Sequence, residues 1–122
     1  MSIKIKLNDG IMILRLNEIY TIHTIKEVID FAESKEYQLQ NVEHIIIDCE
    51  ALQYFEDGGG ELFLLRKNKH LKDFLFSGLD ESLKPIMDIF SQDWFGETIV
   101  NFPTEDAAIK FIKEKDSKLP SI

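Results

Sequence analysis

The sequence predicts one α/β domain. An N-terminal β-hairpin leads into alternating strands and helices, giving a mixed, mostly parallel sheet of about five strands with about four helices. Three observations carry this reading. Ile3, Ile5 and Leu7 alternate with Lys4 and Lys6 before Asn8-Asp9-Gly10, the period of a half-buried strand followed by a tight-turn signal. Ile45-Ile46-Ile47 is a continuous β-branched run, as expected of a strand covered on both faces. The remaining apolar residues fall into short runs separated by stretches of helical spacing, the pattern of strands linked by crossover helices.

Taken in order, Ile11 to Leu16 forms the return strand of the hairpin. Thr24 and Glu27 have the spacing of a capping box, with Ile25, Val28, Ile29 and Ala32 on the core-facing side of a first helix and His23 just before it. A loop over Gln38 to Glu43 leads to the buried strand His44 to Asp48. After Gly58-Gly59-Gly60, Leu62 to Leu65 begins a second helix, whose end carries Arg66-Lys67-Asn68-Lys69, cations suited to a helix C-terminus. Phe74-Leu75-Phe76 reads as a fourth strand. Leu83, Ile86, Met87 and Phe90 mark a third helix with Pro85 in its first turn and Ser82 as N-cap. Ile99 to Phe102 reads as a fifth strand, and Thr104 caps a last helix bearing Ala108, Ile109, Phe111 and Ile112. The domain is expected over 1–116, fraying from Lys115 into a flexible tail over 117–122.

Composition narrows the function classes. A formal net charge of -8 disfavours a nucleic-acid surface, which needs cations facing phosphates, and disfavours anionic membranes. It is compatible with a basic protein partner. No apolar run is long enough to span a bilayer, and a single cysteine, Cys49, rules out an internal disulfide; a cytoplasmic setting is expected. Cys49 reads as a small buried hydrophobe and His23 as a polar surface residue.

The informative stretch is the corner Glu56-Asp57-Gly58-Gly59-Gly60-Glu61. Three glycines permit positive φ and close backbone approach between a strand and a helix. A phosphate-binding loop is disfavoured, because Glu56, Asp57 and Glu61 would crowd the anion and no lysine follows the glycines. Asp57 reads instead as an N-cap. Adjacent carboxylates on an extended chain point to opposite faces, and no serine or histidine nearby completes a nucleophile–base pair, so no catalytic residues are expected. A hard cation on Asp48, Glu50, Glu56 and Asp57 is conceivable, but such density is usually solvated surface; no metal or cofactor is expected.

The chain resembles the STAS domain, the module of anti-sigma-factor antagonists and sulfate-transporter tails. The resemblance rests on Gly10 to Leu16 followed by Thr24 and a helix, and on Pro103-Thr104-Glu105-Asp106-Ala107. It rests above all on Val42 to Asp48 through Leu52, Phe55, Glu56, Asp57 and Gly59, similar to an apolar strand ending in Asp, then Leu, then Asp-Ser-Ser/Thr-Gly. It implies a non-catalytic regulator that contacts a protein partner, such as an anti-sigma-factor-like kinase, through Glu56, Asp57, Gly58, Gly59, Gly60 and Glu61, with a homodimer left open. In the family a hydroxyl residue of the signature is phosphorylated. One register puts Gly58 there and the neighbouring register puts Gly59; from Ala51 to Gly60 only Tyr54 carries a hydroxyl. The other reading is a small-ligand or lipid carrier whose pocket is lined by some of the nine phenylalanines, with Trp94 and Phe95 as an exposed pair.

Overall fold

The computed structural model describes residues 3–35, 37, 42–56, 58–68 and 70–117. Strands β1 (Ile3–Asn8) and β2 (Ile11–Leu16) form the hairpin. Its turn holds Asp9 at φ 52° and Gly10 at φ 77°, the two positive values that Asp-Gly turns supply. The main sheet has the order β1-β2-β4-β6-β7, with β4 at His44–Asp48, β6 at Asp73–Ser77 and β7 at Asn101–Phe102. Only β1 runs antiparallel. A separate parallel pair joins β3 (Ile19–Tyr20) to β5 (Tyr54–Phe55).

Burial on both sides explains the apolar run in β4. Ile45 and Ile47 join Met12, Leu14 and Phe76 in one core cluster, while Ile46 faces the other way with Ile11, Ile13 and Leu75. The first cluster is closed by α1 (Ile22–Glu33), a 3-10 helix (Gly60–Lys67) and α2 (Lys84–Phe95), which contribute Val28, Phe63 and Met87. The second is closed by α3 (Glu105–Ser117) through Ala108 and Ile112. Among the described residues no helix is long and apolar enough to cross a membrane.

Several local expectations need correction. The first helix is capped by Thr21, not Thr24, and His23 lies inside its first turn. Thr21 accepts from the Thr24 N–H, and Thr24 Oγ1 accepts from the Thr21 N–H at 3.1 Å, so the box sits three residues earlier than Thr24 and Glu27 suggest. Strand β3 holds Thr21 in the extended conformation an N-cap requires. The second helix is a 3-10 helix, whose three-residue period aligns the buried Leu62 and Leu65. Helix α2 is capped at Leu83 rather than Ser82, because Asp80 holds the approach: its carboxylate accepts from the Ser82 N–H and its carbonyl from the Leu83 N–H. The last strand is only Asn101–Phe102. Thr104 caps α3 as expected, accepting from the Ala107 N–H at 3.1 Å, and the helix continues through Lys115 to Ser117. Residues 118–122 and most of the expected loop over 38–43 lie outside the described residues.

If β4 and the 3-10 helix hold the two clusters as described, substitutions there should rank by volume removed. Phe63→Ala should cost about 3–5 kcal/mol and Ile46→Val about 0.5–1.5 kcal/mol. The exposed Ile89→Ala should stay within about 0.5 kcal/mol. Urea unfolding at unchanged slope checks the order.

Candidate functional site

The corner is built by the small sheet on one side and three helices on the other. Strand β5 ends as the Glu56 N–H donates to the Tyr20 carbonyl at 2.8 Å. Glu56 and Gly58 are exposed, Gly59 is buried, and Gly60 opens the 3-10 helix. Asp57 lies outside the described residues. Gly58 and Gly59 adopt φ of 69° and 123°, which favour glycine. The space is equally demanding. A Cβ on Gly58 would lie 2.6 Å from Ile25 Cδ1, one on Gly59 2.7 Å from Met87 Cε, and one on Gly60 3.2 Å from the Phe90 ring. Backbone at the corner therefore lies directly against side chains of α1 and α2.

Glu61 turns its carboxylate toward the corner backbone. It is half-buried, and its Oε2 accepts from the Gly59 N–H at 2.9 Å and the Tyr20 hydroxyl at 3.1 Å. The N-cap of the 3-10 helix is Gly59, with no side-chain capping bond, and the cap expected of Asp57 lies outside the described residues. Glu61 supplies the carboxylate at that N-terminus instead. Burial, then the charge of Glu61, pushes the Tyr20 phenol well above its ordinary range.

The other sequence candidates are dispersed. Cys49 is buried, and burial followed by the Asp48 charge drives its thiol far above the reactive range. His23 is exposed. His44 is buried at the opposite end of β4, where its Nδ1 lies 2.7 Å from Asp73 Oδ2. Trp94 is exposed but Phe95 is not its exposed twin: it packs against the core under the Arg66 guanidinium, 4.2 Å from the ring centroid. Among the described residues no group of three His, Cys, Asp or Glu side chains is arranged to hold a metal ion.

Sequence reasoning missed a polar cluster at the carboxyl ends of β2 and β4. Arg15 grips Glu105 with two bonds, Nε to Oε2 at 2.9 Å and Nη2 to Oε1 at 2.7 Å, and its Nε lies 3.8 Å from Asp48 Oδ2. These residues, with Glu50, Thr104 and Asp106, line a cleft of about 690 Å³. The one available signal was Arg15 itself, a cation interrupting an otherwise apolar strand.

No protein-family model matches the sequence, and no curated protein matches it significantly. Solved structures do match. An unphosphorylated anti-sigma factor antagonist, SpoIIAA, superposes at a TM-score of 0.65 with 14% identity, over 91% of this chain and 97% of that one. The phosphorylated form of the Bacillus cell fate determinant SpoIIAA gives 0.63 and 16%, over 90% and 98%. A sulfate transporter family protein from Wolinella succinogenes gives 0.69 and 14%, over 93% of both chains. The fold is STAS-like. At these identities the likeness concerns architecture, and it agrees with the sequence resemblance over nearly the whole chain. In this STAS-like chain the one hydroxyl between Ala51 and Gly60 is that of Tyr54, whose side chain is half-exposed on β5.

Two outcomes check the corner. Glu61→Ala leaves the Gly59 N–H and Tyr20 hydroxyl without their shared acceptor and should cost about 1–3 kcal/mol, whereas Glu56→Ala should stay within about 0.5 kcal/mol. In alkali the sign follows from the raised Tyr20 phenol. Its contribution is intact below the unfolded value of ~10 and is lost as pH rises beyond it. Stability profiles from pH 8 to 11 should therefore fall more steeply for the parent chain than for Tyr20→Phe.

Proposed function

We propose that this chain is a non-catalytic, protein-binding regulatory module of the anti-sigma-factor-antagonist kind, engaged through its glycine corner without phosphorylation there. One observation carries the reading. The corner presents exposed Glu56 and Gly58 and packs against Ile25 of α1 and Met87 and Phe90 of α2, the helices that carry the exposed Ile22, Ile86 and Ile89, and the segment from Ala51 to Gly60 offers no serine or threonine. Apolar residues rimmed by acids suit a protein surface better than a small anion. The matched SpoIIAA structures are those of an anti-sigma factor antagonist, which supports the partner class. Gly59, Gly60 and Glu61 act as framework for the exposed pair in this reading, and Asp57 is included on its sequence position alone.

The partner is a protein with a basic, partly apolar face, an anti-sigma-factor-type kinase being the first candidate. A net charge of -8 would speed that encounter at low salt. The carrier reading finds no support in the phenylalanines, since all nine pack within the two core clusters.

The test is direct binding to each anti-sigma-factor-type kinase of the same organism, with and without ATP, followed by mass spectrometry of the peptide over 51–61. Glu56→Lys and Ile89→Asp should each weaken binding by about tenfold or more, equivalent to ~1.4 kcal/mol, with no phosphate on the peptide. Stoichiometric phosphate on that peptide, or binding indifferent to both substitutions, would overturn the proposal.

A further inference from the structure

Asp48 closes β4, the central strand of the sheet, and its side chain is only 9% exposed. One oxygen, Oδ1, accepts from the Glu50 N–H at 3.1 Å and the Ser77 hydroxyl at 3.4 Å. The other, Oδ2, faces Arg15 obliquely, its Nε 3.8 Å away, while that Nε and Nη2 both donate to Glu105. Two carboxylates thus share one cation, and the three groups carry one surplus negative charge, with Asp48 the most buried of them. Its surroundings do not correct this. Glu50 and Asp106 line the same cleft and add negative charge, and a further cation, Lys6 from β1, acts on Glu105.

We propose that Arg15, Asp48 and Glu105 form a proton-operated latch, in which uptake of one proton by the Asp48–Glu105 pair fastens the start of α3 to the carboxyl end of the sheet. The chemistry is simple. An ionised carboxyl only accepts hydrogen bonds; a protonated one also donates. A proton taken from solvent through the cleft onto Asp48 removes the surplus charge, and the new O–H is donated to Glu105, whose Oε2 and Asp48 Oδ2 both face the same Arg15 Nε, at 2.9 Å and 3.8 Å. Glu105 keeps its two bonds to Arg15. The three residues then tie β2, β4 and the first residue of α3 together without repulsion.

The proton settles on Asp48 because the two acids differ in surroundings. Burial, then Glu105, raises Asp48, whereas the hydrogen bonds of Arg15 lower Glu105. The sign follows. Between the raised folded value of Asp48 and the unfolded ~3.9, the folded chain holds more protons, so this contribution to stability grows as pH falls across that window. Glu105 acts oppositely, its contribution being lost only in stronger acid, as pH falls through its lowered value.

Carboxyl carbon NMR titration of the full chain tests the latch, with Asp48→Asn and Glu105→Gln alongside. The Asp48 midpoint should lie above ~3.9 and should drop in Glu105→Gln, where the opposing charge is gone and the guanidinium is free to turn to Asp48. In urea unfolding, the parent chain should gain on Asp48→Asn as pH is lowered from 7, because asparagine has no charge to lose. A midpoint at or below the ordinary value, one unmoved by Glu105→Gln, or a pH-independent gap between parent and Asp48→Asn would overturn the proposal. If Asp48→Asn fails to fold, the parent titration and Glu105→Gln decide.

Discussion

The structure depends on one strand being buried twice. In β4 successive isoleucines point to opposite sides, Ile45 and Ile47 into the layer of α1, the 3-10 helix and α2, and Ile46 toward α3. Strand β6 repeats the arrangement with Phe74 and Phe76 against Leu75. A sheet with both faces covered leaves its polar business to the strand ends. At the carboxyl ends of β2 and β4 lies the Arg15–Asp48–Glu105 cluster, and the chain leaving β4 turns through β5 into the glycine corner. Both polar features are therefore consequences of the same packing constraint.

The corner owes its shape to close approach more than to turn chemistry. Gly58 sits against Ile25, Gly59 against Met87 and Gly60 against Phe90, so the backbone fills places where side chains would collide. Glu61 seals the interior side by bonding the Gly59 N–H and Tyr20 hydroxyl. What remains outward at the corner is Glu56 and Gly58. Such a surface is preorganised, which lowers the ordering cost of binding a partner.

Periodic features were legible in the sequence. The hairpin followed from Lys4 and Lys6 between apolar residues and from Asp9-Gly10, and the central strand from three consecutive isoleucines. The STAS resemblance agreed with the architecture at a distance where identity is only 14–16%. Features without a period were not legible. The strands β3 and β5 have two residues each, too few to show alternation, yet they hold Thr21 extended and so move the first cap. Helical spacing does not separate an α-helix from a 3-10 helix over Gly60–Lys67. At the site, the composition Glu56 to Glu61 was readable but the inward turn of Glu61 was not, since Tyr20 lies 41 residues away. Arg15 and Glu105 are 90 residues apart, and only the fold brings them together.

The most direct test of the central claim is to map the bound surface. Amide NMR spectra of the labelled chain, recorded while an anti-sigma-factor-type kinase is titrated in, report every contacted residue at once. The largest changes should fall at Glu56, Gly58, Ile22, Ile86 and Ile89, with the cleft around Arg15 and Glu105 little altered. Changes centred on that cleft or on β1, with the corner unmoved, would contradict the claim.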